Sequence, residues 1–209
     1  MPKDWGEWHK AYDGETPLAR RLEIVQSRIA TALSGMPPGP IRVLSMCAGE
    51  GRDLLGVLVD HPRRADLRGR LVELDERLAA TARAHAPSGV EVVCGDASLL
   101  DAYAGATPAD LVLVCGVFGN VEDVDIARTI AMLPSLCAPG AISIWTRHRR
   151  EPDLTPTIRG WFAQTGFDEV SWYAPDDFLF GVGVHRLARS PRMFRFVGYD
   201  ALDPGTAQA

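Results

Sequence analysis

The stretch from Ile41 to Gly56 constrains the fold of this chain more than any other part of the sequence. It reads IRVLSMCAGEGRDLLG, in which β-forming residues come first, a turn of small residues follows, and an apolar run with helical spacing completes it. A strand that ends in glycines and resumes as a helix brings bare backbone N–H groups and a helix N-terminus to the carboxyl end of a sheet. The stretch therefore predicts an α/β sheet with a site for a nucleotide-like ligand beside this turn.

Two common nucleotide-binding motifs fit the turn poorly. The dinucleotide fingerprint Gly-x-Gly-x-x-Gly, counted from Gly49 and Gly51, requires a third glycine at the position that Leu54 occupies. The P-loop requires a Gly-Lys pair followed by Ser or Thr, which this turn lacks. An NAD-dependent oxidoreductase remains an alternative, although its fingerprint is incomplete here.

Composition narrows the class of protein and its partners. With 209 residues, of which 46% are hydrophobic and 23% charged, the chain suits one globular domain. A formal net charge of -5 disfavours broad binding to nucleic acid, and no apolar run approaches the ~20 residues of a membrane span. The four cysteines form no Cys-x-x-Cys pair, which favours small buried thiols over a metal site. We therefore expect a cytoplasmic protein without a bound metal, whose partner is a small molecule. The sequence does not indicate an oligomeric state.

An acidic residue follows the second predicted strand, which spans 70–74. It is Asp75, and a carboxylate at this position can accept both hydrogens of a ribose diol. Glu73 lies two residues earlier on the same side of the strand and is the alternative partner of the diol. Asp75 can also cap the helix predicted over 76–85, and this role is compatible with the first.

Two further segments follow predicted strands, at 90–93 and 110–114. The sequence Gly95-Asp96-Ala97 follows the first, and Asp96 is either a ligand-binding acid or a residue that starts a helical turn. The second strand, DLVLV, is the continuous apolar run expected at the centre of a parallel sheet. It opens into CGVFGN, in which Asn120 either holds a substrate or turns the backbone.

Together, these segments resemble the motifs of the class I S-adenosylmethionine-dependent methyltransferases, over about residues 41–187. The glycine turn is similar to their motif I, acid-x-Gly-x-Gly-x-Gly, except that Ser45 replaces the acid and Cys47 the first glycine. Gly95-Asp96-Ala97 resembles motif III, and the phrases LCAPGAISIWT and GFDEV resemble the passages that open the fifth strand and the last strand pair. The resemblance implies an α/β fold: a Rossmann-like, seven-stranded, mostly parallel sheet with helices on both faces and an antiparallel last strand.

The resemblance also implies a cofactor, S-adenosyl-L-methionine, and the residues that bind it. They stand in the glycine turn and after the second, third and fourth strands: Ala48, Gly49, Glu50, Gly51, Asp75, Asp96, Ala97, Cys115, Gly116 and Phe118. In this family the acid after the second strand binds the ribose, and the acid of motif III meets the adenine amino group. Phe118 would close over the cofactor, and its alternative place is the hydrophobic core.

A basic segment follows the fifth predicted strand, which spans 141–145. At the end of the sheet where a substrate would enter, it contains Arg147, His148, Arg149 and Arg150. These side chains can bind an anionic group, and His148 can supply a base. A solvated loop with internal ion pairs is the alternative. We take His148 and Asn120 as the candidate catalytic residues near the acceptor.

The remaining sequence suggests a single domain with two flanking segments. Residues 1–40 form a predicted helical cap, in which apolar residues recur at helical spacing over 17–33. In the family such a segment commonly folds over the cofactor as a lid, and its alternative role is to cover one face of the sheet. Residues 41–190 form the predicted methyltransferase core, and residues 191–209 form a tail without assigned structure.

The sequence thus predicts a methyltransferase that acts on a small-molecule acceptor by in-line displacement at the sulfonium methyl group. Such an enzyme has mainly to position the acceptor and exclude water, which explains why no catalytic triad or metal motif is required. Three alternatives stay open: an NAD-dependent oxidoreductase, a sensor or assembly protein that binds the cofactor without turning it over, and an aminopropyl transferase. The last requires acids after the fourth strand, where the sequence has Cys115 to Asn120.

Overall fold

The computed structural model describes residues 16–188. Its helices are α1 (Pro17–Gly35), α2 (Arg52–Leu58), α3 (Glu76–His85), α4 (Asp123–Leu136) and α5 (Thr155–Gln164), with short 3-10 helices at Arg64–Asp66 and Leu100–Tyr103. Its strands are β1 (Ile41–Met46), β2 (Leu67–Glu73), β3 (Val90–Cys94), β4 (Ala109–Val114), β5 (Cys137–His148), β6 (Phe167–Tyr173) and β7 (Phe180–Leu187). Strands and helices alternate along most of this part of the chain, as the apolar runs predict.

The strands form one sheet in the order β3-β2-β1-β4-β5-β7-β6. Strands β1 to β5 run parallel, and β7 runs antiparallel to both β5 and β6. The predicted Rossmann-like sheet, mostly parallel with an antiparallel last strand, is therefore confirmed. The strand order reverses between β1 and β4, and in open α/β sheets ligands bind at the carboxyl ends of the strands beside such a reversal. Topology thus predicts a site at the loops after β1 and β4.

Helices cover both faces of the sheet, with α1, α2 and α3 on one face and α4 and α5 on the other. In α1, the buried side chains of Val25, Ile29 and Leu33 pack against apolar strand residues. This helix therefore covers one face of the sheet, which is the alternative to a lid. Residues 1–15 of the predicted cap and the predicted tail at 191–209 lie outside the described residues.

Local sequence fixes the amino end of α1. The Thr16 hydroxyl accepts a hydrogen bond from the Ala19 N–H at 3.0 Å, and Pro17 occupies the first helical position, where a missing N–H is not costly. The first turn carries no acidic side chain. The partial positive charge of the helix dipole is therefore not balanced by a carboxylate of this turn.

Strand β2 ends at a different residue from the predicted one. It spans Leu67–Glu73 rather than 70–74, because its parallel pairing with β1 begins at Leu67 and its pairing with β3 ends at Glu73. Glu73 is consequently the last residue of the strand. Asp75, which was expected at the strand tip, lies beyond it as the N-cap of α3.

Strand β5 is longer than predicted at both ends, spanning Cys137–His148 rather than 141–145. Pro139 and Gly140, which were expected to separate helix from strand, lie where the register with β4 shifts within β5. At the other end, the strand continues because β7 pairs with it as far as His148. Thus the predicted loop at the start of the basic segment is a strand.

Two further observations apply to residues 16–188. No helix in this range combines the length and the apolar character that crossing a membrane requires. The same range contains no group of three or more His, Cys, Asp or Glu side chains placed to hold a metal ion, and its four cysteines are free thiols.

A cluster of aromatic rings packs around Trp145 beneath the end of β5. Trp145 is fully buried, stacks on Phe162 at 5.7 Å between ring centroids, and donates its indole N–H to Nδ1 of His185 at 3.1 Å. Burial lowers the pKa of His185 to about 4, although the nearby Glu169 carboxylate opposes the shift. The buried imidazole is therefore neutral in the folded protein near neutral pH.

We expect the free energy of unfolding to fall as the pH decreases from 6.5 to about 4, because the unfolded chain protonates His185 in this window and the folded chain does not. The difference in pKa corresponds to about 3 kcal/mol. Urea unfolding across this window should show a steeper pH dependence for the wild type than for His185→Gln, whose amide oxygen can still accept the Trp145 N–H. Parallel pH profiles would contradict this assignment.

Candidate functional site

The turn after β1 is built from residues in left-handed backbone conformations. Cys47, Gly49 and Gly51 have φ angles of 49°, 58° and 73°. The turn is fixed by hydrogen bonds from the Ala48 N–H to the Val72 carbonyl and from the Gly51 N–H to the Ala48 carbonyl, both at 2.9 Å. Within residues 16–188, Cys47 is the one non-glycine residue with a positive φ. This conformation explains why the motif that it resembles has glycine at this position.

The carboxylate of Glu73 connects this turn to the start of α3. Its Oε2 accepts the Gly49 N–H at 2.7 Å, and its Oε1 accepts the Asp75 N–H at 2.9 Å. Glu73 is only 8% exposed, so both charge-assisted bonds lie away from bulk solvent. Sequence reasoning treated Glu73 as the alternative to Asp75, whereas the structure places it at the centre of the site.

Asp75 itself caps α3. Its Oδ1 accepts the Arg77 N–H at 2.8 Å, and its Oδ2 lies 2.9 Å from the Arg77 guanidinium. These contacts with Arg77 lower the pKa of Asp75 to about 2. The structure therefore shows the capping role that the sequence offered as an alternative for this residue.

The turn after β3 lies beside the turn after β1. The Gly95 N–H donates to the Glu73 carbonyl at 2.9 Å, and the Tyr103 hydroxyl donates to the Ala97 carbonyl at 2.5 Å. Asp96 accepts the Ser98 N–H at 2.8 Å, which lowers its pKa. Asp96 thus also stabilises its own turn.

The Cys47 thiol lies where the turns after β1 and β3 meet. Loss of hydration at the packed turn, together with the negative charges of Glu73 and Asp96, raises the pKa of Cys47 to about 11. Cys47 is exposed and lines both hollows between the turns. Both carboxylates therefore lie close to the same thiol.

The turn after β4 completes the rim. The Gly116 N–H donates to the Thr146 hydroxyl at 2.8 Å, and the Asn120 side-chain amide donates to the Gly116 carbonyl at 2.5 Å. The Asn120 N–H also closes the turn by donating to the Val117 carbonyl at 2.9 Å. Phe118 is fully buried against Trp145, at 5.8 Å between ring centroids. Phe118 therefore belongs to the core, as its alternative assignment held, and does not reach the rim.

A first hollow of about 250 Å³ opens between these turns. Of the predicted residues, it is lined by Ala48, Gly49, Cys115, Gly116 and Asn120. Two predicted residues of the glycine turn have other contacts: the Glu50 carboxylate pairs with Arg52 at 2.6 Å, and a side chain at Gly51 would collide with Leu55 and Leu71.

A second hollow of about 380 Å³ adjoins the first, and it is lined by Asp96 and Ala97. Both hollows include Cys47, Val117 and Val121. Thus the segments after β1, β3 and β4 surround adjoining spaces rather than separate edges of the sheet.

The sequence reasoning missed most of the apolar lining of the first hollow. Leu74 is 70% exposed, and together with Leu78 and Val117 it contributes apolar surface next to Glu73. An apolar residue between two acids at the end of a strand was the available signal for Leu74.

A larger opening, the basic cleft, continues from the first hollow. It has a volume of about 640 Å³ and lies between the start of α1, the end of β5 and the connection from β6 to β7. Gly116 and Asn120 line both spaces. The cleft contains the predicted His148, together with Arg21 of α1, which sequence reasoning missed because a single arginine in an amphipathic helix gives no motif.

Charges also link the cleft to the first hollow. Burial raises the pKa of Asp53, which lines the first hollow, and the positive charge of Arg21 opposes this shift. Burial likewise raises the pKa of Cys115. The Asp53 carboxylate and the Arg21 guanidinium therefore lie close enough to affect each other, although they line different spaces.

The surroundings of His148 disfavour its protonated form. Burial lowers its pKa, and the positive charges of Arg147 and Arg150 lower it further, against the opposing charge of Asp153. Its Nδ1 is buried and has no hydrogen-bond partner among the described residues. The imidazole is therefore mostly neutral at neutral pH and retains a basic nitrogen.

Comparison with known proteins places this arrangement in a known fold. No protein-family model matches the chain, and no curated protein sequence is significantly similar to it. Magnesium protoporphyrin IX methyltransferase from Synechocystis PCC 6803, solved with bound SAM, has a TM-score of 0.67 at 14% identity, over 88% of this chain and 91% of that one. N-methyltransferase NodS from Bradyrhizobium japonicum WM9 has a TM-score of 0.63 at 16% identity, over 85% of this chain and 99% of that one.

A third similar structure is the 1,6-didemethyltoxoflavin-N1-methyltransferase from Burkholderia thailandensis, solved with 1,6-didemethyltoxoflavin and S-adenosylhomocysteine. Its TM-score is 0.66 at 17% identity, over 88% of this chain and 86% of that one. The chain therefore has the fold of the class I S-adenosylmethionine-dependent methyltransferases.

We expect Cys47→Gly to raise the free energy of unfolding by up to about 1 kcal/mol, because relief of the left-handed strain outweighs the extra freedom of glycine in the unfolded chain. Cys94→Gly, at the end of β3, is the matched control and should lose stability, since glycine weakens a strand. Chemical denaturation measures both. An equal loss in the two variants would show that the backbone at Cys47 is not strained.

Proposed function

We propose that the protein transfers a methyl group from S-adenosyl-L-methionine to a small-molecule acceptor. The observation that carries this proposal is the meeting of the loops after β1, β2 and β4 around the first hollow, with the loop after β3 at the adjoining one. Structures of the same fold that bind this cofactor, or its product S-adenosylhomocysteine, support it.

The residues around the two hollows fit the chemistry of this cofactor. Glu73, at the last position of β2, offers a carboxylate for the ribose diol, and Asp96 offers one for the adenine amino group. The apolar side chains of Leu74 and Leu78 suit the adenine ring, and the backbone of the glycine turn suits the methionyl part. When bound, S-adenosyl-L-methionine supplies a methyl group that its positively charged sulfur already activates.

The chain itself then has two tasks, to hold the acceptor in line and to accept a proton where the acceptor must lose one. Asn120 and Gly116 line both the first hollow and the basic cleft, so they stand where the acceptor would approach. Asn120 acts through position, since its amide is held by the Gly116 carbonyl. His148, neutral and inside the cleft, accepts the proton.

Transfer of a labelled methyl group from S-adenosyl-L-methionine to a panel of small acceptors tests the reaction class. Thermal-shift measurements with S-adenosylhomocysteine and with NAD test the ligand class. Stabilisation by NAD alone would indicate an oxidoreductase instead. Binding of S-adenosylhomocysteine without transfer to any acceptor of the panel would favour a sensor or assembly protein, because fold and pocket do not by themselves establish activity.

We expect Glu73→Gln to weaken S-adenosylhomocysteine binding by about 1.5 to 3 kcal/mol, because it removes the charge from the hydrogen bonds to the ribose and sets an amide NH2 against one of the two backbone N–H groups that Glu73 holds. Asp75→Asn is the matched control and should leave the affinity nearly unchanged, since Asn also caps a helix well. Isothermal titration calorimetry measures both dissociation constants. If Asp75→Asn weakened binding more than Glu73→Gln did, Asp75 rather than Glu73 would be the residue that binds the ribose.

We expect His148→Ala to reduce turnover by about 10²- to 10⁴-fold while the affinity for S-adenosylhomocysteine is retained. In the wild type, turnover should fall as the pH drops through the pKa of His148, below the ordinary value of 6.5, because the protonated imidazole cannot accept a proton. The variant should lack this acidic limb. Full activity of the variant would remove His148 from the mechanism.

A further inference from the structure

We propose that the acceptor carries a carboxylate or phosphate group, which the arginines of the basic cleft bind, on an otherwise apolar body. This inference rests on the proposed function, since it specifies the substrate class of that same site. The chain as a whole carries a net charge of -5, so the positive charge of the cleft is a local feature rather than a property of the whole surface.

The main observation is the environment of Arg147. Its side chain is only 10% exposed, yet its nearest carboxylate, on the largely exposed Asp123, is 3.9 Å away. One terminal nitrogen donates to the Phe118 carbonyl, and Nε has no hydrogen-bond partner among the described residues. A buried guanidinium is costly unless an anion compensates it, and among residues 16–188 its partners are a neutral carbonyl and one largely exposed carboxylate at 3.9 Å. A ligand anion in the cleft would complete this environment.

The charged side chains that line the basic cleft are also mostly positive. Arg21 and Arg150 line the same cleft, and the single acid that lines it in the described chain, Asp177, lies 3.9 Å from Arg20. The start of α1 forms part of the wall, and its first turn has no acidic side chain. Both features favour an anion.

The same arginines act on His148, and the Asp153 carboxylate opposes them. After burial, the charges of Arg147 and Arg150 are the causes that lower its pKa. The cleft is therefore electropositive at the histidine itself, and an anion bound beside it would restore part of its basicity.

The remaining wall is apolar and specifies the rest of the ligand. Phe178 and Phe180 stack at 6.2 Å between ring centroids, and Leu179 between them is 56% exposed. Leu18 of α1 also lines the cleft. Flat apolar side chains next to arginines suit an aromatic or aliphatic acid better than a sugar or a polyamine.

Binding of model compounds tests this inference in the presence of saturating S-adenosylhomocysteine. The probes are phenylacetate and phenyl phosphate as anions and phenylacetamide as the neutral control, titrated by ligand-observed NMR. We expect at least one anion to bind about tenfold more tightly than the amide, since a charge-assisted hydrogen bond is stronger than a neutral one.

The matched variants are Arg150→Gln and Arg149→Gln, which change the same charge in neighbouring residues. Arg150 lines the cleft, whereas Arg149 does not, and the Arg149 N–H that donates to the Leu179 carbonyl is retained in the variant. Arg150→Gln should weaken the better anion by about tenfold. Arg149→Gln should leave it unchanged. Neither variant replaces the buried Arg147, so both are expected to fold.

The outcomes distinguish a failure of the proposed function from a failure of the inference about the acceptor's anionic group. If the wild type does not bind S-adenosylhomocysteine, the proposed function fails, and the anion titration can still be carried out on the free protein. If S-adenosylhomocysteine binds, the inference is wrong when the amide binds as well as the anions, when neither anion binds, or when the two variants behave alike. It is also wrong if Arg150→Gln weakens S-adenosylhomocysteine as much as the anions, because the cleft would then hold the cofactor's own carboxylate.

Discussion

The rest of the site depends on the two hydrogen bonds that the Glu73 carboxylate accepts. Its two oxygens hold the Gly49 and Asp75 N–H groups, so one buried charge fixes the turn after β1 and the connection after β2 at the same time. Without it, a left-handed turn of small residues would have few contacts to define its shape. The motif that the sequence resembles has an acid at the position of Ser45, and here the neighbouring strand provides the acid beside the turn.

Patterns within short segments predicted the fold well, because parallel strands that are buried on both faces are apolar throughout and turns carry glycine. The ends of strands were harder to predict from the sequence, because pairing with distant strands determines where a strand ends. Glu73 closes β2 because of its partners in β1 and β3, and β5 reaches His148 because β7 pairs with it. The predicted tip of β2 therefore lies beyond the strand, and the predicted loop after β5 is part of the strand.

In the candidate site, too, residues within local motifs were predicted and residues that depend on distant segments were not. Residues within motifs, such as Gly49 and Gly116, line the first hollow where the motifs predict them. Arg21 lines the basic cleft but belongs to a helix that lies far away in sequence, and Arg147 looks like a solvated residue until its burial is known. Phe118 turned inward because Trp145 offers it an aromatic partner that no local pattern reveals.

The order of the strands places the two hollows and the far wall of the basic cleft on different parts of the sheet edge. The turns after β1 to β4 surround the first and second hollows, whereas the wall opposite α1 in the basic cleft comes from the connection between β6 and β7, beyond β5. Along residues 16–188, the antiparallel pair comes last, and it shares no turn with the glycine segment. Under the proposed function, divergence in that connection would change the acceptor while the turns around the first and second hollows stay intact, so that one scaffold would acquire new specificities during evolution by altering a single hairpin.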